Sequence, residues 1–250
     1  MELRELIEIS RQIASPAEDC VILGEGNTSA KLHADKFLVK ASGKQLFNAD
    51  EETFVKMVAP PLIAALDGPD LSDADTKELL VQSSVNPLGL AASTESFMHA
   101  FLLSLPGINC VIHTHPTPLL PLLCSYDLED LARKRLFPDE IVCCGPRACV
   151  VPYTDPGLPL GKAVRTAVLK YEAEENEPPK TIWIQNHGLI CLGKTGSEAV
   201  TATRMSVKAA RVWGAAMAIG KPIKSLTESE IQRIHQRPDE HYRQRMLWKS

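Results

Sequence analysis

Short β-rich runs set between long helical stretches constrain the fold of this chain more than any other feature of its sequence. In the second half, "NCVIHTH", "RACVVPY" and "TIWIQNHGLICLG" carry β-branched and apolar residues over strand-like lengths, the last broken by a sharp turn. Between and after them, "LPLGKAVRTAVLKYEAEE" and "SEAVTATRMSVKAARVWGAAMAIG" read as helices, the second stopped by Gly220 and Pro222. "STESFMHAFLLSL" predicts a capped helix starting near Ser93, and "VILGEGNTSAKLHADKFLVKASGKQL" predicts paired strands and turns. Leu3, Leu6, Ile7 and Ile13 predict an opening amphipathic helix. The stretch from Ala59 to Ala92 carries Pro60, Pro61, Pro69 and Pro87 and one helix, "SDADTKELLVQS", with Ser72 as N-cap. Strands interleaved with helices favour a single α/β or α+β domain over residues 1–250 with a covered sheet, ending in a helical tail from about 221 to 250.

Composition narrows the partners. An apolar fraction of 44% with 23% charged residues is that of an ordinary globular protein. A formal net charge of −4 without a long basic run argues against a nucleic-acid surface. The start, "MELRELIEISRQ", lacks the apolar core of a signal peptide, and no segment has the length and apolarity of a membrane span. Seven cysteines without a C-x-x-C pair read as reduced thiols, so the expected location is cytoplasmic.

Four polar residues stand where a core would not choose them. Residues two apart in a strand share a face, so His113 and His115 of "VIHTH" can reach one point. Imidazole suits zinc, which in catalytic sites takes three protein ligands and keeps a position open. In isolation an H-x-H pair is more often two packed rings. Glu95, in the first turn expected of the "STESFMH" helix, is favoured there by the exposed N–H groups, and alone reads as a plain terminal charge. His187 stands at the corner in "QNHGLI", where Gly188 allows a sharp turn or a close approach; alone it reads as a hairpin residue. Together the three histidines and the carboxylate make an open metal site.

A second constellation suits an anion. Gly24, Gly26 and Gly43 free the backbone to present N–H groups, and Asn27, Ser29 and Ser42 add side-chain donors. Ser93 and Thr94 at a helix start supply the same kind of group. "GEGNTS" has Ser29 where a dinucleotide fingerprint needs its third glycine. "GLICLGKT" formally completes a phosphate-loop pattern, but its four middle residues read as a strand, which makes the match accidental.

Read in order, "GEGNTS", "KASG", "STESFMH", "VIHTHP", "VVPYTDPG" and "QNHGLI" resemble the class II aldolase/adducin family. That family includes L-fuculose-1-phosphate and L-rhamnulose-1-phosphate aldolases and L-ribulose-5-phosphate 4-epimerase. "LFPDEIVCCGP" with "VVPYTDPG" resembles the aldolase half of fused aldolase–dehydrogenase proteins. The resemblance implies an α/β fold with a central, largely antiparallel sheet between helical layers, in a homotetramer with active sites at subunit interfaces. It makes His113, His115 and His187 ligands of Zn2+ or another divalent metal, and Glu95 the catalytic acid/base, which also touches the metal at rest. It places Asn27, Ser42, Gly43, Ser93 and Thr94 around a substrate phosphate, and gives His99 a packing or supporting role.

The expected function is a metal-dependent aldolase that cleaves a phosphorylated ketose to glycerone phosphate and an aldehyde. Its alternatives are an epimerase, decarboxylase or dehydratase using the same site, and a non-catalytic scaffold like the adducin head. In one respect the chain departs from the family. Pro138 stands about where a neighbouring subunit's tyrosine often donates a proton, which leaves Tyr126, Glu140 and Tyr242 as candidate donors.

Overall fold

The computed structural model describes residues 1–33, 35–85 and 89–239. Its centre is a sheet of seven strands: β1 (Asn27–His33), β2 (Lys36–Lys40), β3 (Phe54–Val58), β4 (Cys110–Thr114), β5 (Cys149–Val151), β6 (Thr181–Ile184) and β7 (Gly188–Gly193). They lie in the order β3-β2-β1-β4-β7-β6-β5. All neighbours run antiparallel except β5 and β6.

Helices cover both faces, which explains why the central strands read as continuous apolar runs and not as a clean alternation. Along β4, Val111 packs with α2 (Ala59–Ala65), α4 (Ser96–Ser104) and α8 (Leu158–Glu175) through Leu62, Phe97, Leu102, Val164 and Val168. Cys110 and Ile112 point the other way, into Leu6, Ile9 and Ile13 of α1 (Leu3–Ile13) and Val200 and Val207 of α9 (Gly196–Ala218). A third cluster joins Trp183, Leu189 and Cys191 to α5 (Leu120–Ser125), α6 (Leu128–Ala132) and the middle of α9. Each fully buried Leu, Val or Phe in these clusters contributes about 1.5–3 kcal/mol, so it is the sheet sandwiched between helices that holds the molecule together.

Most of the expected elements appear. The 18-residue α8 spans the segment read from sequence. Ser72 caps α3 (Asp73–Gln82), its hydroxyl accepting from Asp75 N at 3.2 Å. Leu189 to Leu192 of the accidental phosphate-loop match lie in β7. α4 begins at Ser96, three residues later than expected. Ser93 to Glu95 form the turn before it, because the chain there is held to the β2 end by an Ala41–Ala92 bridge and by Ser42 N–H donating to Ala91 O at 2.9 Å. The sequence reading missed β3, α2, α5, α6 and α7 (Pro138–Cys144). Of the expected tail, α10 (Glu228–His235) is described, and residues 240–250 lie outside the described residues, as does Pro87. Among the described residues, no helix is long and apolar enough to cross a membrane.

Candidate metal centre

The strand alternation that sends Val111 toward α4 sends His113 the same way, and His115 follows two residues later, just past the end of β4. His187 comes from 72 residues further on. It reaches them because β7 pairs with β4 in a register that sets Thr114 against Leu189, so the β6–β7 turn closes over the end of β4. Asn186 takes the positive φ (53°) that this three-residue turn needs. The three rings form a nearly equilateral group, with centroids 4.9, 5.0 and 5.0 Å apart and planes steeply inclined to one another.

Close approach, not turn geometry, explains Gly188. A Cβ there would lie 2.5 Å from Thr114 O and 2.8 Å from His115 Cδ2. Gly26 is pressed onto the same strand from the other side: its φ is +66°, and a Cβ would lie 2.5 Å from His113 O.

The nitrogens are set up to bind a cation. His113 Nδ1 lies 3.0 Å from Leu189 O, and since a carbonyl only accepts, Nδ1 carries the proton and Nε2 presents its lone pair. His115 Nε2 faces His113 Nε2 at 3.2 Å. Two nitrogens bound to one tetrahedral ion at zinc–imidazole distances would lie roughly 3.3 Å apart. Candidate ligand nitrogens of all three rings lie within 4.8 Å of one another. Burial, more than any neighbour, pushes the pKa of His113 and of His115 down to about 3 and also lowers that of His187, so the rings are neutral at neutral pH, the state a metal requires. These observations together fit a divalent ion.

Glu95 completes the group from the residue just before α4. Its side chain makes no capping bond to the helix. Instead Oε1 lies 3.4 Å from His187 Nε2 and 3.6 Å from His113 Nε2, while Oε2 accepts from the Asn27 amide. Glu95 was expected in the first turn of the helix and lies one residue before it, with its carboxylate facing the imidazoles and not the helix N–H groups. Burial raises the Glu95 pKa, opposed by His187, Lys40 and the Asn27 hydrogen bond. A carboxyl whose pKa is raised by burial beside candidate metal ligands has the character of a general acid–base group.

The expected anion residues divide. Ser42 and Gly43, on the turn after β2, adjoin Ser93 and Thr94 through the Ala41–Ala92 bridge. Gly43, Ser42 and Thr94 are exposed, and Gly43 has φ +76° with open space around it. Ser93 Oγ accepts from Glu95 N at 3.3 Å, which keeps its own proton free to donate. Asn27 differs from these four, because it is buried in β1 with its amide donating to Glu95. His99 is not a ligand; fully buried, it shares a 2.6 Å hydrogen bond with Ser29.

Among the proton-donor candidates, Glu140 is buried against Arg135 and accepts from Leu136 N at 2.8 Å, so its carboxylate is engaged within its own chain. Tyr126 is exposed, its hydroxyl 3.3 Å from Met217 Sδ. Tyr242 lies outside the described residues.

Sequence reading missed Lys40. Its ammonium is buried, and donates to Gly24 O at 2.6 Å and Lys44 O at 2.8 Å, tying the two glycine-bearing loops together. Burial lowers its pKa, and the nearby Glu95 charge opposes that. Its one sequence signal was a charged residue at an inward position of "FLVK".

The pattern described as the Class II Aldolase and Adducin N-terminal domain matches residues 4–213. Among solved structures, the N-terminal class II aldolase domain of a conserved protein from Thermoplasma acidophilum is 29% identical, with a TM-score of 0.68 over 85% of this chain and 93% of that one. YgbL of Escherichia coli is 21% identical, with a TM-score of 0.65 over 93% and 97%; its reaction is given as an open choice of aldolase, epimerase or decarboxylase. The L-fuculose-1-phosphate aldolase of Thermus thermophilus is 16% identical, with a TM-score of 0.60 over 88% and 96%. The last two likenesses concern the fold alone. No curated protein matches the chain in sequence.

Proposed function

The chain belongs to the class II aldolase and adducin N-terminal domain family, and from that premise we propose that it is a divalent-metal-dependent lyase that reversibly cleaves a phosphorylated ketose to glycerone phosphate and an aldehyde. The observation that supports this reading most is the convergence of three neutral imidazoles beside one buried carboxylate. His113, His115 and His187 would hold the ion, which we assign as zinc, with other divalent transition metals able to substitute. Bound there, it supplies Lewis acidity toward negative charge developing on the ketose oxygens, worth roughly several kcal/mol.

The chain's own groups divide the remaining work. Glu95 exchanges a proton at the carbon that loses its bond to the aldehyde fragment, and Asn27 fixes the carboxylate's other oxygen so that Oε1 keeps its aim. Ser42, Gly43, Ser93 and Thr94 hold the phosphate through hydroxyl and backbone donors, which anchors the ketose end and keeps the reacting carbon aligned. In this reading the enzyme is a cytoplasmic homotetramer, with Tyr126 of a neighbouring subunit the remaining donor candidate among the described residues.

Pro138 at the expected donor position, with Glu140 tied to Arg135, favours a second reading: an epimerase, decarboxylase or dehydratase that uses the same metal and Glu95 without that donor. A scaffold role would leave the buried carboxylate–histidine group without use. Incubating the zinc-loaded protein with a panel of ketose phosphates separates these outcomes. Release of glycerone phosphate supports the aldolase, and a stereoisomer without cleavage supports the epimerase.

A further inference from the structure

His113 and His115 face each other through Nε2, but only His113 has a hydrogen-bond acceptor behind it, the Leu189 carbonyl on Nδ1. A neutral imidazole carries one proton. With Nε2 committed to a cation, the proton of His115 must sit on Nδ1, which faces Glu25 Oε2 at 4.0 Å. That gap is about 1 Å longer than a hydrogen bond.

The backbone holds Glu25 where such a contact needs it. Its N–H donates to Ile22 O at 3.1 Å, and its Oε2 accepts from Ile22 N at 3.0 Å, closing a turn in which Leu23 takes a positive φ of 52°. Before the turn, Cys20 O accepts from His115 N at 2.9 Å, and after it Gly26 is pressed against the His113 carbonyl. The strap from Cys20 to Gly26 is thus pinned to β4 at both histidines, and its only carboxylate between those points is Glu25.

We propose that Glu25 is a positioning residue for the metal centre: its carboxylate accepts the Nδ1 proton of His115, and so fixes the ring's tautomer and direction. The proposal rests on the metal reading above. Neither the sequence motifs nor the proposed chemistry gave Glu25 a part.

The test is zinc titration of metal-free wild-type protein, Glu25→Ala and Glu25→Gln, with long-range proton–nitrogen NMR of the His115 ring in each zinc-loaded form. Loss of an acceptor behind a ligand histidine weakens metal affinity roughly 10–100-fold, the effect expected for Glu25→Ala. Glu25→Gln retains a neutral acceptor, so it should fall between the two, with the Nδ1–H resonance shifting in the same order. Equal affinities for all three proteins, or an unmoved His115 resonance, would overturn the proposal even where the wild type binds zinc tightly. Failure of the wild type itself to bind zinc would overturn both readings, and is distinguished by being independent of Glu25.

Discussion

Asn27 and His113 stand directly opposite each other across β1 and β4, and both reach Glu95, one by an amide hydrogen bond and the other across 3.6 Å. The register of two central strands therefore sets the distance between the carboxylate and the deepest imidazole. Asn27→Ala should leave the rings in place but free one carboxylate oxygen. A hydrogen bond to a charged group contributes about 1.5–3 kcal/mol, so turnover should fall roughly 10–100-fold. The check is kcat alongside zinc content, which should stay at the wild-type level.

Glu95→Gln keeps the shape and removes the titrating oxygen. Zinc should still bind, while proton exchange at the reacting carbon should slow by about 10²–10⁴-fold, the usual contribution of a general acid or base. Deuterium incorporation into glycerone phosphate in heavy water measures that step without an aldehyde.

Gly188→Ala tests the close approach at the turn. The new methyl would meet backbone at 2.5 Å, so the end of β4 must shift. Overpacking of this kind costs about 1–3 kcal/mol, and here the displacement falls on His115. A lower Tm together with at least tenfold weaker zinc binding is expected.

How far this centre was legible in the sequence depends on how local each signal is. The span of α8, the Ser72 cap and the β6–β7 corner rest on neighbouring residues, and all appear as read. His113 and His115 share a face by strand geometry alone. That His187 joins them follows from the pairing of β4 with β7, which no local pattern encodes. The same limit explains α4: Ser93 has the look of a cap, but the long-range Ala41–Ala92 bridge makes it part of a turn. Helices α5 to α7 are five to seven residues long, too short for a helical period to stand out. Lys40 and Glu25 acquire their surroundings only when separate loops meet.

Stability of the metal-free protein should depend on pH through His99. Burial pushes its pKa down to about 3 from the ordinary 6.5, so between those values the unfolded chain binds a proton that the folded chain refuses. Its contribution is fully present above pH 6.5 and is lost as pH falls toward 3, by up to about 1.4 kcal/mol per pH unit. Denaturant unfolding from about pH 7.5 to about pH 4.5 should show this slope, and His99→Gln should show one proton less of it.

Metal analysis of protein purified without added metal, paired with His113→Ala, tests the centre most directly. The wild type should carry, or rebind after chelation, a near-stoichiometric divalent ion, and the variant should lose that ion while keeping its far-ultraviolet circular dichroism. A wild type that neither holds nor rebinds any divalent ion, or a His113→Ala protein that unfolds with zinc still bound, would contradict the account.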